Sequence, residues 1–198
     1  MRRYAGALLC GGRSSRMGRD KAMIQVDGQP LWQLQLAKLR SVCSEVMICG
    51  NPAQHDTFES AAVRFVSDAE AGLGPLSGIA RAMETTGGSH VLVLAIDMPK
   101  MSEHYLSGLL EFVSDERGVV PENGGIFEGL CAVYPVAMHS LVLRLLAGEE
   151  RSMQRLVRLG TEQGFLRAKA VANSESELFE NWNFPGDVAR AVETGGLP

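Results

Sequence analysis

Leu8-Leu9-Cys10-Gly11-Gly12-Arg13-Ser14-Ser15-Arg16-Met17-Gly18-Arg19-Asp20-Lys21 completes a short apolar run, Tyr4 to Leu9, that predicts a first β-strand. Two adjacent glycines then remove the side chains where the strand ends. The backbone can approach a ligand closely there and turn its N–H groups toward an anion. Arg13, Arg16, Arg19 and Lys21 add positive charge just after the glycines. Backbone donors with nearby cations are what a polyphosphate requires. The stretch therefore predicts a triphosphate cradle at the carboxyl end of strand one. It is not the P-loop spacing, because Gly18 is followed by Arg19 rather than by Lys and Ser/Thr. Nor is it the dinucleotide fingerprint, since no Gly-x-Gly occurs in it.

Working outward, the 198 residues suit one domain, with a nucleotide-side half over about 1–100 and an acceptor-side half over about 101–198. An apolar content of 45% allows a proper core. The net charge of −4 argues against a nucleic-acid binder. No apolar run is long enough to span a membrane, and the start of the chain lacks the pattern of a secretory signal. Cys10, Cys43, Cys49 and Cys131 have neither zinc-site nor disulfide-framework spacing, so free thiols in a reducing cytoplasm are expected. The histidines are scattered and none is assigned to chemistry.

Next come an apolar run, Ala22 to Val26, a turn at Asp27-Gly28, and Pro30 opening a helix to about Val42. That helix puts Trp32, Leu36, Leu39 and Cys43 on one face. Glu45 to Cys49 and Val63 to Val66 read as strands two and three. Gly72 to Gly78 is a glycine-rich loop entering a helix from Leu76 to about Met83, whose free N–H groups could face a ligand. Val91 to Ile96 is apolar without alternation, as expected of a central parallel strand covered on both faces.

That strand ends at Asp97-Met98-Pro99. A carboxylate at the carboxyl end of a central strand lies where open α/β sheets bind ligands. It should be paired, hydrogen-bonded or metal-bound, with Mg2+ the natural metal; a turn or helix-capping Asp is the plain alternative. Ser102 predicts a cap for a helix from Glu103 to Val113. Gly118 to Pro121 reads as a strand, Glu122 to Gly125 as a hairpin turn, Leu130 to Tyr134 as a strand, and Pro135 to Leu146 as a helix. A helix follows Arg151-Ser152-Met153, Phe165 to Val171 is the last strand, and Asn181 to Pro185 leads to a final helix ending at Gly195-Gly196. This alternation implies a three-layer α/β fold with a mainly parallel central sheet.

The opening pattern Gly-Gly-x-Ser-x-Arg-Met-Gly-x-Asp-Lys, with Ile96-Asp97-Met98-Pro99, resembles the molybdenum cofactor guanylyltransferases, the MobA-like nucleotidyltransferases. Ser67-Asp68, Gly74-Pro75-Leu76-Ser77-Gly78 and Asn181-x-Asn183-x-Pro185 extend the resemblance over nearly the whole chain. It implies a Rossmann-like nucleotidyltransferase domain that transfers GMP from GTP to molybdopterin, forming the guanine dinucleotide cofactor and releasing pyrophosphate. By the same resemblance Leu9, Cys10, Gly11 and Gly12 would hug the nucleotide. Arg16 and Lys21 would hold its phosphates. Asp68 and the Gly74–Gly78 loop, with Pro75 and Leu76, would hold the guanosine. Asp97 would bind Mg2+. Arg151, Asn181 and Asn183 would lie toward the pterin acceptor, and product would pass to molybdoenzymes or their chaperones.

The chain departs from the family pattern in three places. Cys10 stands where Ala is frequent. Cys49 and then Asn51 stand where many members carry Asn after strand two, so Asn51 is taken as the nucleotide-side candidate. Gly129-Leu130 replaces a common Pro-Leu. A cytidylyltransferase or other nucleotidylyltransferase shares the opening loop, and a non-catalytic nucleotide-binding module is the alternative of another class.

Overall fold

The computed structural model describes residues 4–11, 20–26, 28–58, 63–67 and 73–182. Strand β1 (Tyr4–Leu9) lies between β4 (Glu45–Gly50) and β6 (His90–Ala95) and is parallel to both. Beyond β4, after the short helix α2 (His55–Phe58), lies β5 (Arg64–Ser67), also parallel. On the other side follow β9 (Cys131–Pro135), β7 (Gly118–Asn123) and β10 (Leu166–Ala170), giving the order β10-β7-β9-β6-β1-β4-β5. Short β8 (Ile126–Phe127) pairs with β7 and completes an eight-stranded sheet. From β1 the chain passes to β4 on one side and later to β6 on the other. A crevice opens at such a reversal, beyond the carboxyl ends of the strands.

The helices cover both faces because side chains on a strand alternate between them. Leu8, Leu92 and Leu94 pack with Trp32, Leu36 and Leu39 of α1 (Leu31–Val42) and with Leu106 and Leu109 of α4 (Glu103–Glu111). Ala7, Val91 and Val93 pack on the opposite face. There they meet Leu76 and Ile79 of α3 (Pro75–Thr85), Leu141 of α5 (His139–Ala147) and Leu156 of α6 (Met153–Glu162). The expected three layers are therefore present. All six residues of β6 are buried: Val91 to Ala95 as their unbroken apolar run predicts, and the polar His90 with them. None of the four cysteines forms a disulfide. No helix among the described residues is long and apolar enough to cross a membrane.

Several boundaries differ from expectation, each for a local reason. The run Ala22 to Val26 splits into a 3-10 turn, Lys21–Met23, and a ribbon of β2 (Gln25–Val26) with β3 (Gln29–Pro30). Asp20 starts that turn by accepting from the Ala22 N–H. Helix α4 stops at Glu111, short of Val113, because Phe112 and Val113 donate to carbonyls only three residues back. Glu122 and Asn123 belong to β7 rather than to the turn, since both pair with β8; Gly124 and Gly125 make the turn, each with positive φ. Pro135 remains in β9 opposite His90, and a 3-10 turn, Val136–Met138, precedes α5. The central strand β6 is parallel to β1 but antiparallel to β9. Gly118 has no room for a side chain: a Cβ there would lie 1.9 Å from the Val133 carbonyl oxygen.

Candidate functional site

Strand β1 stays joined to β6 on one side and to β4 on the other up to its end. Ile96 N–H donates to Leu9 O at 3.1 Å, and Cys10 N–H to Cys49 O at 2.8 Å. Beyond those bonds Gly11 is exposed while Leu9 and Cys10 remain buried. The predicted cradle therefore begins where regular pairing stops. The Cys10 thiol is pushed well above its usual pKa, first by burial and then by Asp20 and Cys49 nearby. It stays protonated and is no nucleophile.

Where the chain returns from the basic stretch, Asp20 fastens it. Its Oδ1 accepts from Ala22 N–H at 3.0 Å, and its Oδ2 accepts from Gln54 Nε2 at 2.6 Å. Gln54 Oε1 in turn accepts from Asn51 N–H at 3.0 Å. Asp20 is thus tied to the turn leaving β4. This sets Lys21 across the crevice from Asp97, with Nζ 3.0 Å from Oδ2. The two side chains are only 16% and 21% exposed, so solvent screens this pair less than a surface one.

The other oxygen of Asp97, Oδ1, is buried and has no hydrogen-bond partner among the described residues. A buried carboxylate oxygen left this way is costly, and a hard cation would relieve the cost. No cluster of three or more His, Cys, Asp or Glu suited to a metal occurs among the described residues. A single carboxylate still fits magnesium, whose remaining ligands are commonly water and substrate phosphate oxygens.

Of the other nucleotide-side candidates, Gly74 precedes α3 with φ 74°, and Pro75 occupies the first helical turn. The open N-terminus of α3 follows β5, so it faces the carboxyl end of the sheet. Leu76 is fully buried in the core, which leaves its backbone rather than its side chain for a ligand. Gly78 is also buried. Asn51 caps the short 3-10 turn Pro52–Gln54, its Oδ1 accepting from Ala53 N–H at 3.0 Å. Gly12, Arg16, Asp68 and Asn183 lie outside the described residues.

On the acceptor side, Leu130 O accepts from Ala95 N–H, which sets the segment before β9 beside the end of β6. The start of α6 touches the same segment: Gln154 Nε2 donates to Phe127 O at 2.7 Å. Arg151, one residue before the Ser152 cap of α6, is exposed, with Nε on Gly148 O at 3.1 Å. Asn181 is exposed, and its neighbour Trp182 is buried and donates its N–H to Asp97 O at 2.9 Å. The segment before it is anchored as well, since Lys100 meets Glu180 at 2.9 Å and Phe179 packs edge-on to Tyr105.

A model of the MobA-like NTP transferase domain matches residues 6–167. The chain belongs to this family. A probable molybdenum cofactor guanylyltransferase of Opitutus terrae is 36% identical, covering 92% of each chain. A molybdenum cofactor guanylyltransferase of Pseudomonas putida is 30% identical over 90% of this chain and 92% of its own. Among solved structures, molybdopterin-guanine dinucleotide biosynthesis protein A of Archaeoglobus fulgidus superposes with a TM-score of 0.75 at 23% identity, over 96% of this chain and 97% of its own. That likeness shows the shared fold.

Four residues of the site escape sequence reasoning. Gln54 had a signal: Asn51-x-x-Gln54 has the spacing of a capping box. Gln35, fully buried on α1, is a polar residue beside the apolar face of Leu31, Leu36 and Leu39. Trp182 reads only as part of a loop. Glu128 sits half-buried before β9, its carboxyl pKa raised by burial and partly offset by a hydrogen bond from Asn123. Nothing in the sequence around Glu128 announces this.

Proposed function

We propose that this protein transfers GMP from GTP to the terminal phosphate of molybdopterin, yielding the guanine dinucleotide form of the cofactor and pyrophosphate, and that residues 1–198 act as one domain. The observation that carries the proposal is the Lys21–Asp97 pair at the point where the strand order reverses, in a chain whose relatives bear the name of that reaction. Strands from both halves share one sheet, which supports the single domain.

In this reading the backbone beyond Cys10, with Gly11 and Gly12, receives the nucleotide. The N-terminus of α3 at Gly74 to Gly78, with Asp68 and Asn51, borders the guanosine. Arg16 and Lys21 hold the phosphates, and Lys21 turns from Asp97 toward them. Asp97 would hold Mg2+, which when bound would neutralise charge developing on the phosphates. Arg151, Asn181 and Asn183 orient the acceptor. An acceptor phosphate oxygen forms a bond to the α-phosphorus while the bond to the β-phosphate oxygen breaks, and pyrophosphate leaves with its electron pair. No protein nucleophile takes part, in keeping with a protonated Cys10. Catalysis is alignment of two anions and compensation of charge. The same reading puts the protein in the cytoplasm, passing product to molybdoenzymes or their chaperones.

Calorimetry with GTP, ATP, CTP and UTP in magnesium, followed by a pyrophosphate-release assay with molybdopterin, tests this. Selective GTP binding and acceptor-dependent release are expected. Preference for CTP would replace the reading with a cytidylyltransferase, and binding without release would leave a nucleotide-binding module.

A further inference from the structure

Asp97 is carried by a turn whose successive carbonyls are each tied to a distant part of the chain. Asp97 O accepts from Trp182 N–H at 2.9 Å. Met98 O accepts from Gln35 Nε2 at 2.8 Å, and the same amide reaches Ala95 O at 3.4 Å. Pro99 O accepts from Lys38 Nζ at 2.7 Å. Gln35 and Lys38 lie one helical turn apart on α1, on the side that faces this turn.

Both positions are costly for stability alone. Gln35 is fully buried, and its Oε1 has no hydrogen-bond partner among the described residues. A leucine there would avoid that cost, as its neighbours Leu31, Leu36 and Leu39 do. Burial also pushes the Lys38 ammonium down to about 8, against the opposing pull of Glu103. The two polar groups therefore stand in an otherwise apolar packing surface and both end on the backbone of the Asp97 turn.

We propose that Gln35 and Lys38 are positioning residues that hold the Asp97 carboxylate at its working place in the crevice by fixing the backbone of the Asp97-Met98-Pro99 turn. The inference rests on the nucleotidyltransferase reading. Once Lys21 swings to the phosphates, the carboxylate loses the side-chain contact that holds Oδ2, and its direction depends on the turn beneath it. A small misplacement of a charged group from its reacting partner is expensive in rate.

The test uses the full chain with Gln35→Met, Lys38→Met, Lys38→Arg and Asp97→Asn. Manganese binding in the presence of GTP is measured by electron paramagnetic resonance, thermal melting is followed in parallel, and turnover is measured by pyrophosphate release. Gln35→Met and Lys38→Met are each expected to weaken manganese binding and lower kcat by about tenfold, with KM for GTP within about twofold of the wild type. Lys38→Arg, which keeps a cationic donor, is expected to recover most of the loss. Lower melting temperatures with manganese affinity and kcat unchanged would make both residues packing groups only and overturn the proposal. So would manganese binding in the wild type no tighter than in Asp97→Asn. Failure of the functional reading looks different: no pyrophosphate would form with any nucleotide, while the manganese and melting comparisons would still report on the turn.

Discussion

On the proposed function the crevice has a nucleotide rim and an acceptor rim, and the two are built in different ways. The nucleotide rim is made of strand ends and short turns braced by charged side chains: Asp20 caps its own turn and reaches Gln54, and Lys21 meets Asp97 at 3.0 Å. The acceptor rim is assembled from a hairpin, the loop before α6 and the segment ending at Trp182, joined by bonds such as Gln154 to Phe127 and Trp182 to Asp97. The first rim concentrates charge on few residues. The second is held by bonds to backbone carbonyls, those of Phe127 and Asp97, with no ion pair between its elements in those bonds. Mutations on the nucleotide rim should therefore act sharply, and those on the acceptor rim in smaller, separable steps.

The largest effect is expected for Asp97→Asn, with pyrophosphate release falling by about a hundredfold or more while the circular-dichroism spectrum stays native. Full turnover at saturating magnesium would remove the nucleotide rim's centre. Gly118→Ala breaks the comparison from beneath, because it forces β7 away from β9 and so disturbs the sheet that carries the acceptor rim. It should cost about 3 kcal/mol, seen as a melting temperature lower by roughly 6–12 °C. A wild-type melt would mean the backbone yields at no cost. Lys21→Ala should lower kcat/KM for GTP by roughly ten- to a hundredfold, the worth of a charge-assisted bond. Equal efficiency with GTP would take the phosphates away from this lysine.

On the acceptor rim, Arg151→Ala and Asn181→Ala should each raise KM for the acceptor by about five- to tenfold with KM for GTP unchanged. A change in the GTP parameter instead would merge the two rims into one site. The smallest expected effect concerns pH. Lys38 has its pKa lowered from 10.5 to about 8 by burial, so between those values the unfolded chain binds more protons than the folded one. Wild-type stability should therefore rise relative to Lys38→Met as pH goes from about 8 to 10, by less than about 1 kcal/mol because the group is partly screened. Parallel stability curves for the two proteins would show that the burial carries no linkage.

What could be read in the sequence depended on how far apart the interacting residues stand. Strand β6 and helix α1 follow from their apolar patterns, and the ends of β1 and β6 from Gly11 and Asp97, because each signal lies within a few residues. The partner of Asp97 was not legible, since Lys21 stands 76 residues away and reaches it through the fold. Gln35 looked like an ordinary helix residue because its meaning depends on Met98, 63 residues later. The turn at Gly124-Gly125 was legible as a turn. The strand character of Glu122 and Asn123 was not, because it is conferred by pairing with β8 and β10. Strand direction escaped for the same reason: the apolar run of β6 reports burial on two faces, and says nothing of the antiparallel β9 at its side.

The Lys21–Asp97 pair has one more consequence. The protein carries its own counter-ion at the centre of the crevice, so substrate does not arrive at a bare charge. On the proposed function, binding would be an exchange of partners, in which lysine trades a carboxylate for phosphate and the carboxylate trades lysine for a metal. Such a site resembles an ion exchanger at rest. Its affinity for the metal–nucleotide complex should respond to ionic strength less steeply than the number of charges in contact would suggest, and metal offered without nucleotide must compete with an ammonium group already in place.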